Sequence, residues 1–180
     1  MNSSTLDPAS EYARRVLDGE IVAGKFVIAA CERHFEDLET GAERGLYFDE
    51  KAAARAIRFF PSMFTVTGGA KAGEPFHLLD WMTFVVGSLF GWQKNGRLRF
   101  RRVYVETGKG QAKSPLMGAI SLYMTGYMGI PSAEGYAIAS KLDQAKIPFQ
   151  DAVSLCRTAI PRRTETLEDR DDVIVSGRGR

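Results

Sequence analysis

The residues most suited to chemistry form one continuous stretch, Glu106-Thr107-Gly108-Lys109-Gly110-Gln111-Ala112-Lys113-Ser114. A loop that binds a phosphate chain needs small residues, so that successive backbone N–H groups can turn inward around the anion, and a helix behind it whose positive end adds to the field. It also needs a lysine to reach the β and γ phosphates and a neighbouring hydroxyl to hold Mg²⁺, and Lys113 and Ser114 stand in that order. Gly108, Gly110, Gln111 and Ala112 supply the N–H groups. Lys109 has two open readings, a second cation at the phosphates or a side chain in solvent. The pattern G-x-x-x-x-G-K-[ST] is not met in full, because Thr107 and Ala112 occupy the two glycine positions. An alanine forced to positive φ costs about 1 kcal/mol or more, and its methyl group crowds the phosphate. From the loop alone, a tight structural turn and a nucleotide site are both open.

Such a loop has to be held between a strand and a helix. Val103-Tyr104-Val105 is β-prone, residues 113–124 suit a helix, and Tyr136-Ala137-Ile138-Ala139 is a second β-prone run. That order predicts a βαβ unit with parallel strands, which Val173-Ile174-Val175 would extend. Leu142, Ala145, Phe149, Ala152, Val153 and Cys156 predict a further helix, in conflict with Pro148 inside it. Upstream, Val27, Ala30, Cys31, His34, Phe35 and Leu38 repeat at helical spacing. His34 reads as a packed, satisfied ring with no catalytic role. Asp49 stands at an N-cap position before a helix burying Ala53, Ile57 and Phe60, which Pro61 is expected to stop. Residues 67–75 form a glycine-rich loop. Trp81, Phe84, Val85, Leu89 and Trp92 predict one apolar face of the next helix, followed by a turn at Lys94-Asn95-Gly96. The arginines at 97, 99, 101 and 102 read as a solvated face, with phosphate contact as the alternative.

Composition bounds what the chain can be. At 180 residues with 44% hydrophobic and 26% charged, it suits one or two soluble compact units. A net charge of +2 is too small to argue for nucleic-acid binding by itself. Cys31 and Cys156 match no metal-ligand spacing and suit reduced, buried thiols. No apolar run approaches the roughly 18 residues of a membrane span and the first residues carry no leader pattern, so a cytoplasmic protein is expected.

Several short motifs in fixed order resemble the terminase large subunit of tailed phages: Ala23-Gly24-Lys25, Ala30-Cys31-Glu32-Arg33-His34, Phe59-Phe60, Phe90-Gly91-Trp92, the 106–115 stretch, Glu134 to Ser140 and Asp143-Gln144-Ala145. The resemblance implies an α/β fold: a helical region over 1–75, then at 76–180 the first half of a P-loop ATPase domain with a partial parallel sheet. The half carrying the acidic Walker-B strand and the nuclease domain are expected to be absent, since Asp171 and Asp172 precede the apolar residues of their run instead of following them. It further implies ATP and Mg²⁺ as cofactors, with Lys113 at the β/γ phosphates and Ser114 as metal ligand. Trp81 and Met82 fall at the adenine end, where a glutamine commonly follows the tryptophan. Double-stranded viral DNA, a portal protein, a small terminase subunit and further copies of the chain are the implied partners, with DNA packaging and concatemer cutting as the parent activity. The alternative is a non-catalytic remnant or interaction module of the packaging complex, with a decayed nucleotide site.

Overall fold

The computed structural model describes residues 6–159 and divides into two compact units. The first joins the residues up to Arg58 with Leu78–Tyr104, and the second joins Phe59–His77 with the residues from Val105 onward. The chain leaves the first unit inside a helix, after Arg58, and returns to it at Leu78.

Helix α1 (Pro8–Leu17) starts where Asp7 accepts the backbone N–H groups of Ala9 at 2.9 Å and Ser10 at 3.2 Å, and Pro8 fits the first turn, where its missing N–H has no partner to lose. It buries Ala9, Tyr12, Ala13 and Val16 against Cys31 of α2 (Lys25–Thr40) and Phe84 of α4 (Asp80–Gly91). The contact with α4 is close: a Cβ on Gly87 would lie 2.6 Å from the Ala9 methyl group. After a 3₁₀ turn at Gly41–Arg44, strand β1 (Leu46–Phe48) leads to α3 (Glu50–Met63), whose expected cap is present in the Asp49 carboxylate accepting the Ala52 N–H at 2.9 Å. Pro61 does not stop α3. The helix runs on to Met63, because a proline this near the end removes only one late hydrogen bond.

Helix α4 differs from the single apolar face expected of it. Met82, Phe84, Val86, Leu89 and Phe90 are all buried, so it is covered on more than one side, and Trp92 lies beyond the helix as the first residue of β2 (Trp92–Lys94). Asn95 and Gly96, at φ of 51° and 72°, make the two-residue turn to β3 (Arg97–Leu98). Both central residues with positive φ match the twist of an antiparallel hairpin. β1, β2 and β3 form a small antiparallel sheet, with Phe48 opposite Trp92 and Lys94 opposite Arg97.

The second unit rests on α5 (Lys113–Gly126) and α6 (Leu142–Arg157). They meet at Gly118, where a Cβ would sit 2.9 Å from the Ala152 backbone nitrogen and 3.2 Å from the Pro148 carbonyl oxygen, so only glycine lets the backbones approach this far. Pro148 stays within α6 and does not interrupt it. Leu116, Ala119, Ile120, Leu122 and Leu155 fill this core, and the Phe59 ring lies 4.9 Å from Tyr123 and 4.5 Å from Tyr127.

The expected parallel sheet is not formed among the described residues. Residues 103–105 and 136–139 carry no strand, the third run at 173–175 lies outside the described residues, and the sheet that exists is antiparallel and made of other segments. β-propensity reports fit to a paired and half-buried surface, and here Tyr104 is 86% and Ile138 91% exposed. Among the described residues neither run joins a ladder.

Candidate functional site

The loop before α5 takes the turn its composition suggests. Lys109 and Gly110 form a tight turn, Gly110 has φ of 82°, and Ala112 sits in the left-handed region at φ 52°, ψ 32° as the N-cap of α5. Alanine has no side-chain oxygen to cap the helix, so the first-turn N–H groups of Lys113 and Ser114 have no capping acceptor. Pro115 follows and brings no N–H of its own. The helix therefore opens on a short arc of donors, with the positive end of α5 behind it.

Lys113 is turned back over the loop. Its Nζ donates to the Thr107 carbonyl at 2.7 Å and to the Gly108 carbonyl at 3.1 Å, tying the start of the loop to its end. Gly108, Lys109, Gly110 and Gln111 are exposed, whereas Ala112, Lys113 and Ser114 are half-buried. The stretch thus gathers one ammonium, one hydroxyl and several backbone donors within a single turn of chain. This donor set suits an anion. A magnesium ion bound with that anion would find Ser114 as its protein ligand, the remaining positions falling to phosphate oxygens and water. No group of three histidine, cysteine, aspartate or glutamate side chains able to hold a metal occurs among the described residues.

Beside the helix start lies a cavity of about 230 Å³. Ala112 and Pro115 form one wall, Val66, Thr67 and Gly68 another, and Phe76 and Leu155 complete it. The wall at 66–68 is pinned by backbone hydrogen bonds from Val66 to Glu74 at 2.8 Å and from Gly73 to Val66 at 2.9 Å. No single-residue signal marks this cavity in the sequence, because its sides come from three separate stretches.

Trp81 and Met82 belong to the first unit. Met82 is 1% exposed and offers a ligand no surface, while Trp81 packs partly against the cluster around Tyr12 and Phe84. The loop and the cavity belong wholly to the second unit.

Two polar arrangements in the first unit join partners that the sequence does not name. His34 is buried, accepts the Trp92 indole N–H at Nδ1 over 3.0 Å, and meets Ser10 Oγ at Nε2 over 2.8 Å, and the Ser10 hydroxyl donates on to Asp7. The ring is satisfied at both nitrogens. Burial holds its pKa below the ordinary histidine value, reinforced by Arg99 and opposed by Asp7 and Asp37. Asp37, also buried, is gripped by Arg44 and Arg99, and Arg99 lies over the rings of Trp92 at 5.2 Å and Phe100 at 4.9 Å. Burial raises the Asp37 pKa, but the two guanidinium groups outweigh it and hold the carboxyl below its usual range. Arg99 is thereby removed from the basic run, leaving Arg97, Arg101 and Arg102 closer to solvent.

No helix of the described residues is long and apolar enough to cross a membrane. Residues 80–176 match the family model described as terminase large subunit, ATPase domain. No curated protein and no solved structure matches the chain.

Proposed function

Because this chain belongs to the terminase large subunit family through its ATPase domain, we propose that the loop at 107–114 binds nucleotide phosphate and that the protein serves ATP-driven packaging of viral DNA. The observation that carries the reading is the left-handed Ala112 at an uncapped helix start, with the Lys113 ammonium already inside the loop. A phosphate chain there accepts the N–H groups of Gly110, Gln111, Ala112, Lys113 and Ser114. Lys113 exchanges two neutral carbonyl partners for charged phosphate oxygens, which adds ion-pair attraction to bonds its ammonium already charge-assists. Lys109 stands beside the turn as a further cation. Mg²⁺ on the Ser114 hydroxyl would neutralise charge on the β and γ oxygens.

The proposal covers binding and positioning of ATP. Activating water needs an acidic group, and Asp171 and Asp172 lie outside the described residues. Double-stranded DNA, a portal protein and a small subunit follow as partners from the family. A second reading, an interaction module with a decayed site, draws support from the strained Ala112 and from the two carbonyl bonds that Lys113 must release.

Calorimetry with Mg²⁺ and a non-hydrolysable ATP analogue separates the two. Binding that weakens by about tenfold or more in Lys113→Ala, equivalent to about 1.4 kcal/mol, supports the phosphate site. Equal affinity in both proteins favours the decayed site.

A further inference from the structure

We propose that the chain associates with a second copy of itself through two oppositely charged helix faces of the first unit, the outer face of α2 in one copy against the outer face of α3 in the next. Helical periodicity lays down both faces. In α2, Cys31, His34 and Asp37 turn inward and are buried, while Glu32, Glu36 and Glu39 repeat at the three-and-four spacing on the opposite side, all exposed. In α3, Ala52, Ala56 and Phe59 are buried, while Lys51, Arg55 and Arg58 repeat the same spacing on the exposed side. One helix thus presents carboxylates and the other cations at matching intervals.

Surface acids elsewhere in the unit have partners, Glu11 and Asp18 on Arg14 and Asp80 on Arg15. Among the described residues, Glu32, Glu36, Glu39, Lys51 and Arg55 form no ion pair. Like charges four residues apart, as at Glu32 and Glu36 or Lys51 and Arg55, oppose the helix that carries them. Each helix therefore bears a repulsion that a face of the opposite sign relieves.

A second copy answers these observations better than a nucleic acid does. The acidic face belongs to the same unit as the basic one and repels a phosphate backbone, whereas every copy of the chain brings the complement of both faces. The net charge of +2 is small enough for copies to approach without strong mutual repulsion. Because the two faces differ, the contact is head to tail. Exposed charge pairs contribute orientation and approach rate more than affinity and are screened by salt, so the association is weak and strongest at low ionic strength.

Sedimentation velocity on the full chain tests this at about 50 mM and about 500 mM salt. Self-association is expected at the lower salt and dissociation at the higher. Glu32→Lys with Glu36→Lys, and separately Lys51→Glu with Arg55→Glu, should each weaken self-association by about tenfold. The chain with all four substitutions keeps the original net charge with the two faces exchanged, and it should recover association. Four substitutions that leave the helix content unchanged by circular dichroism yet fail to restore association overturn the proposal. Association of the unmodified chain that is absent at both salts, or that does not fall as salt rises, overturns it without recourse to any variant. A chain that stays monomeric and binds a duplex oligonucleotide through Lys51 and Arg55 also overturns it, and assigns the basic face to nucleic acid.

Discussion

The indole N–H of Trp92 donates to Nδ1 of His34 over 3.0 Å, and this one bond fixes where the histidine keeps its proton. Indole nitrogen is a donor only, so Nδ1 must accept and the neutral ring carries hydrogen on Nε2, facing Ser10 Oγ. A second proton would have to enter at Nδ1, against the indole N–H.

The first prediction is a loss of stability on mild acidification. The folded-state pKa of His34 is lowered, so the unfolded chain takes up the proton first. Its contribution is fully present above the unfolded value of about 6.5 and is lost as pH falls from there toward the lower folded value. Both tryptophans, Trp81 and Trp92, lie in the first unit, so their fluorescence follows that unit during urea unfolding. The midpoint should fall between about pH 7.5 and about 5.5, and this pH-dependent step should shrink in His34→Gln. An identical pH slope in the variant would remove His34 as its source.

The second prediction contrasts the two arginines around Asp37. The Asp37 side chain is 1% exposed, that of Arg99 15% and that of Arg44 49%. Asp37→Ala leaves Arg99 enclosed without its counter-charge and should cost about 3–5 kcal/mol, whereas Arg44→Ala removes a half-solvated partner and should cost about 0–1 kcal/mol. The folded carboxyl is held low, so its contribution persists above about pH 4 and is lost as pH falls further. Comparable losses in the two variants, by the same fluorescence assay, would contradict this division.

A third prediction concerns Met82→Gln. In a nucleotide site facing residue 82, glutamine would add a hydrogen-bonding pair. In the observed position it buries an amide among apolar groups, which should cost about 1–3 kcal/mol of stability and give no gain in nucleotide affinity. Tighter ATP-analogue binding with unchanged stability would argue for a different placement of this helix.

What the sequence made legible follows from the range of the interactions involved. Helices α2, α3, α5 and α6 announce themselves through apolar spacing, and α3 also through its Asp49 cap, because these signals act within a few residues. The Asn95-Gly96 turn and the positive φ at Ala112 are equally local. His34 reads correctly as a satisfied ring, but its partners Ser10 and Trp92 lie 24 and 58 residues away, and nothing in the helical pattern names them. The Asp37 clamp is hidden for the same reason, since Asp37 and Arg99 look like ordinary surface charges until the hairpin brings them together. Residues 103–105 and 136–139 show the reverse failure, a local preference with no partner strand to satisfy it among the described residues.

The fourth prediction uses the helix contact at Gly118. A methyl group there meets backbone atoms at 2.9 and 3.2 Å, which cannot rotate aside. Gly118→Ala should therefore separate α5 from α6 and cost about 1–3 kcal/mol despite the better helix propensity of alanine. Hydrogen exchange at α5 amides reads it, since the second unit holds no tryptophan. Unchanged protection would show that the helices have room to yield.

The fifth prediction separates stability from affinity at Ala112. A left-handed conformation costs an L-residue about 1–2 kcal/mol, and the greater freedom of glycine when unfolded offsets about 0.5–1 kcal/mol, so Ala112→Gly should stabilise the second unit by about 0.5–1 kcal/mol. Glycine keeps the same backbone N–H at this position, so affinity for the ATP analogue should change by less than about threefold. A large affinity gain without added α5 protection would contradict this division.

The strain at position 112 also has a genetic side. Every alanine codon is a single base change from a glycine codon, so the relaxed loop lies one mutational step from this one. Gly118 has no such freedom, because any added side chain collides with the backbone of α6, and backbone cannot be exchanged by mutation. Within one short helix segment, then, the fold leaves open a residue it would benefit from replacing and closes one it must keep. A library randomised at both positions and selected for folding should converge on glycine at 118 and drift toward glycine at 112.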